Sequence, residues 1–195
     1  MSKGLLIGLG VAALLLFWGI GVRNGMATEN QEVEAAWAKV QTAYQRRADL
    51  IPTLVNTVKG VANFEKETLT AVINARASAT QIKLDAKDLT PENMKKYQEA
   101  QSQLSGSLSR LMVVAEKYPE LKATENFSEL QSQLEGTENR IKEERDRFND
   151  TVKGYNNKIV TFPNSLIASF SGFTTKGYFE ADAGASKMPT VDFSK

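Results

Sequence analysis

The sequence predicts an all-α protein: one N-terminal membrane-spanning helix, then an antiparallel four-helix bundle of long helices. Three observations carry that expectation. From Gly4 to Val22 the chain reads GLLIGLGVAALLLFWGIGV, without a charged side chain and flanked by Lys3 and Arg23. Beyond it, apolar residues recur on alternating three- and four-residue steps through four long segments, the seam of helices packed at shallow angles. No stretch of useful length alternates with the period of a strand.

The apolar run is long enough to cross a bilayer, which takes about 20 residues. It exceeds the hydrophobic stretch of a typical signal peptide, although Gly25-Met26-Ala27 leaves a poor cleavage site as the competing reading. Residues 1–28 are therefore assigned to the anchor. Its orientation is open, because Lys3 and the amino terminus nearly balance Arg23 and the later Arg46 and Arg47.

The bundle is assigned to residues 29–162. Val33, Trp37, Val40, Tyr44, Ile51, Leu54, Val58 and Val61 form the first seam. Its phase survives Pro52, so a single helix from about Glu29 to Ala62 is expected, kinked near that proline. A break at Ala48–Ile51 is the alternative. Thr28 and Gln31 offer a capping box, the alternative being a chain continuous with the membrane helix, and Gly60 with Asn63 marks a turn. A second helix follows from about Phe64 to Lys83, with Leu69, Val72 and Ile73 on its apolar face. Thr90 as N-cap and Pro91 at the first helical position open the third, which Pro119 closes. The fourth runs from about Thr124 to Phe162. Residues 163–195 form a tail that either packs over the lower end of the bundle or lies along the lipid interface with its aromatics inserted. Its last stretch, 183–195, reads as extended.

Polar residues interrupt the seams: Arg47, Gln101, Thr137 and Glu144. Counting about 1.5 Å of rise per residue places Arg47 and Glu144 at one level, so the two are expected to meet as a buried pair, with Gln101 beside them. Such a pair more often fixes register than performs chemistry.

Composition narrows the function. The 195 residues hold 24 basic and 23 acidic side chains, no cysteine and no histidine. Thiol nucleophiles, Ser-His-Asp triads and zinc sites built on Cys or His are excluded. The balanced charge argues against nucleic acid, and no phosphate-binding glycine loop is present. Glu65, Glu67, Glu143, Glu144 and Asp146 alternate with basic residues in the manner of solvated helix faces. No catalytic constellation emerges, and no cofactor or metal is expected.

RRADLIPTLVNTVKG (46–60), EKETLTAVINARASA (65–79), the segment 103–141, FNDTVKGYNNKIVTFPNSLIA (148–168) and YFEA (178–181) together resemble the bacterial LemA family over nearly the whole chain. The resemblance implies a single N-terminal membrane helix and a helical bundle, with no established catalytic activity. It also implies an accessory role near membrane-protease or envelope proteins. Phe64 stands where members often carry histidine, which puts any histidine-dependent role there in doubt.

Structural need explains Arg46 and Asp49 poorly, and with Glu135, Glu138 and Arg140 of the fourth helix they form a candidate docking face. The expected role is a single-pass interaction, scaffold or accessory protein of the cytoplasmic membrane that binds envelope proteins or itself. The rivals are an accessory factor of a membrane protease or a carboxylate- or lysine-dependent hydrolase, and a lipid-organising protein. Partner, oligomeric state and biological process are not legible.

Overall fold

A computed structural model of the chain describes residues 2–61 and 64–181. Six helices occur among them: α1 (Lys3–Lys59), α2 (Lys66–Gln81), α3 (Pro91–Ala115), α4 (Pro119–Lys122), α5 (Glu125–Val160) and α6 (Asn164–Ser171). A single 3₁₀ turn, Ala86–Asp88, lies between α2 and α3. No strand occurs among the described residues.

At its start the first helix follows the continuous alternative rather than the capped one. No cap separates anchor from bundle: α1 is one helix of 57 residues, and the Thr28 hydroxyl donates back to the Asn24 carbonyl within it (3.1 Å). The N-terminal part of α1 is long and apolar enough to cross a membrane. The expected end at Ala62 and the turn at Asn63 lie outside the described residues, as does the extended reading of 183–195.

Helix α1 continues through Pro52, and the structure shows how. A proline has no N–H for the carbonyl four residues earlier, which here belongs to Ala48. Arg76 of α2 fills the gap, its Nε donating to the Ala48 carbonyl at 2.8 Å. The side chain that satisfies the interrupted ladder therefore also ties α2 to α1.

The bundle is built from two antiparallel pairs, α1 with α5 and α2 with α3. Thr90 caps α3 through the Asn93 N–H (3.3 Å), with Pro91 in the first turn. The link from α3 to α5 is not a simple loop, since the short α4 places Leu121 in the core. Helix α5 stops at Val160 rather than at Phe162, which is 76% exposed.

Helix α2 has only 16 residues and reaches along the upper half of the bundle. Below it, the segment 82–90 and the extended chain 173–181 close the bundle. The core divides accordingly. The upper cluster centres on Ile51, Leu54, Val58, Val72, Leu104, Leu111, Phe127 and Leu134. The lower cluster, nearer the apolar start of α1, centres on Trp37, Tyr44, Tyr97, Phe148, Tyr155 and Phe179. Trp37 anchors the lower one: its indole N–H donates to the Leu84 carbonyl (2.9 Å), and its ring meets Tyr97, Phe148 and Phe179 at 5.2, 5.5 and 6.1 Å.

Replacing Arg76 with Ala should cost about 1–2 kcal/mol, because it strands the Ala48 carbonyl. In a Pro52→Ala background, where the helix supplies its own donor, the same replacement should cost less than half as much. A double-mutant cycle by denaturant unfolding of the full chain in detergent measures the difference. Equal costs in both backgrounds would show that Arg76 contributes through packing alone.

Candidate functional site

A polar layer separates the two core clusters. Arg47 is 1% exposed at its centre. Its Nη1 donates to Glu138 Oε1 and Ser105 Oγ, both at 2.6 Å. Its Nη2 donates to Gln101, to Oε1 at 2.6 Å and to the backbone carbonyl at 3.3 Å. Gln101 Nε2 passes the connection to the Ala79 carbonyl at the end of α2 (3.3 Å). One guanidinium thus ties α1 to α3 and α5 directly, and to α2 through Gln101.

The expected partnership of Arg47 with Gln101 is present, and that with Glu144 is not. Glu144 is buried, 2% exposed, but its ion pair is with Arg140 of its own helix (2.5 Å). It lies six residues from Glu138, about 9 Å lower along α5. The count along the chain missed because α4 and the turns around it were read as a direct return. Thr137 is also buried, its hydroxyl donating to the Gln133 carbonyl (2.7 Å) rather than joining the layer.

The residues of the expected docking face do not form one patch. Arg46 and Asp49 lie on an exposed strip of α1 with Gln45, which donates to Asp49 (2.7 Å). Glu138 turns the other way, into the Arg47 layer. Arg140 pairs with Glu143 and Glu144, and Glu135 is exposed.

The layer opens to solvent on one side, where a groove of about 780 Å³ runs between α3 and α5. Arg47, Gln101, Ser102, Ser105 and Glu138 line it, with Lys95 and Arg145 at its edges. Arg47 Nε is buried without an acceptor among the described residues. The lower end of the groove is occupied by the chain itself. Side-chain amides hold the extended segment in succession, each accepting from the N–H and donating to the C=O of one residue. Asn156 takes Lys176 (both 2.9 Å), Asn149 takes Phe179 (both 2.9 Å) and Gln98 takes Glu180 (2.9 and 2.8 Å).

These contacts replace the ladder of a neighbouring strand with carboxamides projecting from helices. Gly177 makes the close approach: a side chain there would come within 2.8 Å of the Pro91 backbone, and its N–H donates to the Leu89 carbonyl (2.7 Å). Sequence reading missed these clamps. The only signal available was polar Asn and Gln near core-facing positions of α3 and α5.

Burial raises the phenol of Tyr97 well above its ordinary 10.0, with Tyr44 adding and Arg47 and Gln101 opposing. Tyr155, which donates to the Thr174 carbonyl (3.0 Å), is raised by burial too. Burial lowers the Lys176 ammonium, against the pull of Glu34 and Asp88.

Two outcomes follow from charge and titration. Glu138 is 42% exposed, so Glu138→Ala, which leaves the buried guanidinium without its counter-ion, should cost about 2 kcal/mol. Arg47→Met removes the charge instead and should cost less than half of that, as measured by unfolding in detergent. A phenol raised in the folded state contributes stability that is complete below the unfolded value and declines above it. Stability should therefore fall as pH rises past 10.0, and the slope should be shallower in Tyr97→Phe.

The sequence is similar to that of known proteins. Protein LemA of Metamycoplasma hominis is 25% identical over 179 residues, covering 92% of this chain and 76% of that one. Magnetosome protein MamQ of Magnetospirillum gryphiswaldense is 32% identical over 85 residues, 43% of this chain and 31% of MamQ. MamQ 2 of Paramagnetospirillum magneticum matches to the same extent. The LemA family profile covers residues 36–193, from the helix before Trp37 through the bundle and the clamped segment into the tail, and the chain belongs to the LemA family.

Proposed function

We propose that this LemA family member is a single-pass, membrane-anchored interaction protein, and that its recognition surface is the groove between α3 and α5. The observation that carries the reading is the succession of carboxamide clamps at Asn156, Asn149 and Gln98. They hold this chain's own backbone at Lys176, Phe179 and Glu180, which supports a groove whose unfilled part beyond them suits a further extended polypeptide. Above Glu180 the groove continues past Ser102 and Ser105 to Arg47, whose buried Nε has no acceptor among the described residues. The occupant is an extended segment of a membrane or envelope protein, whose carbonyls meet that donor. Arg46 and Asp49, exposed on another strip of α1, take no part.

A carboxylate-dependent hydrolase is the weaker reading. Glu144, the best buried carboxylate, is neutralised by Arg140 and faces the α1 side of α5, away from the groove. The short matches to magnetosome proteins cover too little of either chain to assign a role.

Ser102 is exposed and lines the groove, so a photo-crosslinking residue there reports its occupant in intact membranes. The expected product is one discrete adduct whose linked residues map to an extended segment of another membrane protein. A synthetic peptide of that segment should compete it away, and a probe at Arg147 should not produce it. Adducts only with residues 182–195 of the same chain, or only with a second copy, would overturn the proposal.

A further inference from the structure

The chain between α5 and the clamped segment makes a second approach to the membrane region. Helix α6 packs against both α1 and α5. Its level is set by Ile167, whose Cδ1 lies 3.5 Å from where a side chain on Gly19 would stand. Gly19 belongs to the uncharged run of α1, three residues and about 4.5 Å below Val22. Val22 is where the helix begins to be covered by the lower core.

On its other side α6 is bare. Leu166 is 54% and Phe170 91% exposed, one helical turn apart, and Phe162 of the preceding turn is 76% exposed. Single exposed apolar residues are ordinary, whereas a cluster beside a spanning helix has a physical reason. The sequence of α6, NSLIASFS, contains no charge. The charged pair Lys158 with Glu29 (2.7 Å) sits above it on the bundle side. Gly172, at φ 75°, caps α6 and turns the chain upward again, with the Phe173 N–H returning to the Ala168 carbonyl (3.0 Å). The tail therefore divides the alternatives open from sequence: Phe179 packs into the bundle, and the α6 aromatics do not.

We propose that α6 is a second membrane-contact element, a short foot at the boundary of headgroups and acyl chains, with Phe162, Leu166 and Phe170 buried in lipid beside the span. Its partner is the bilayer itself, and the inference rests on α1 crossing that bilayer. A helix without charge gains its binding from apolar area. The foot therefore takes lipid of either net charge, and with α1 it gives the bundle two separated points of attachment.

The chain has no native cysteine, so single thiols carry a fluorescent reporter cleanly. Phe170→Cys, Leu14→Cys and Ala123→Cys variants of the full chain would be labelled with an NBD dye. They would be reconstituted into phosphatidylcholine–phosphatidylglycerol vesicles holding phospholipid spin-labelled at acyl carbon 5 or carbon 12. Phe170 is nearly free of protein contacts, so its replacement leaves the fold intact. The Phe170 probe should be quenched at least twofold more than the Ala123 probe at the far end of the bundle, and more by carbon 5 than by carbon 12. Quenching at Phe170 no greater than at Ala123, with Leu14 strongly quenched, would overturn the foot and leave the anchor standing. Weak quenching at Leu14 as well would overturn both.

Discussion

The register of the long helices depends on one buried cation. A guanidinium removed from water must have its charge and its donors met, or the layer around it comes apart. Arg47 is met by Glu138, Ser105 and Gln101, and Gln101 reaches on to α2. Seams of Leu, Val and aromatic residues tolerate sliding by a turn, since one apolar knob can replace another. The Arg47 layer does not, because a shift of one turn on any helix would leave the charge facing hydrocarbon. The layer thus fixes the mutual register of the helices and sets where the upper core ends and the lower begins.

The same layer generates the groove. Helices α3 and α5 stand apart here, bridged by long polar side chains instead of packed on each other. An extended chain fits into the gap lower down, where Phe179 supplies an aromatic ring to the core that the short α2 does not reach. Arg145 lies over that ring at 5.0 Å and also donates to the Glu180 carbonyl (2.9 Å). Core packing and backbone recognition are therefore performed by one segment. The lower bundle is completed by a strand-like element that never pairs with a strand.

Much of this was legible in the amino-acid sequence, for identifiable reasons. The seam keeping phase across Pro52 reported a continuous helix, because periodicity is a property of backbone geometry and survives one missing hydrogen bond. What repairs that bond, Arg76, was not legible, since it arrives from another helix. The buried nature of Arg47, Gln101 and Glu144 showed in their seam positions, while the pairing of Arg47 with Glu138 did not. Pairing depends on vertical offsets accumulated through turns, and the α4 excursion shifted them by more than a helical turn. The clamps were hidden for a different reason. Asn and Gln carry no periodic signature, and their role is defined by a chain that returns from the far end of the sequence.

The absence of a cap between Val22 and Val33 has a mechanical consequence. Helix α1 passes from the apolar run to the top of the bundle as one helix, so a bundle anchored by that run, as proposed, would not swivel freely on it. Any change in the inclination of the buried stretch is transmitted to the far end. Helices adjust their tilt when bilayer thickness changes. With α1 rigid and about 50 Å of it above Arg23, a 10° change displaces the upper end of the bundle by roughly 9 Å.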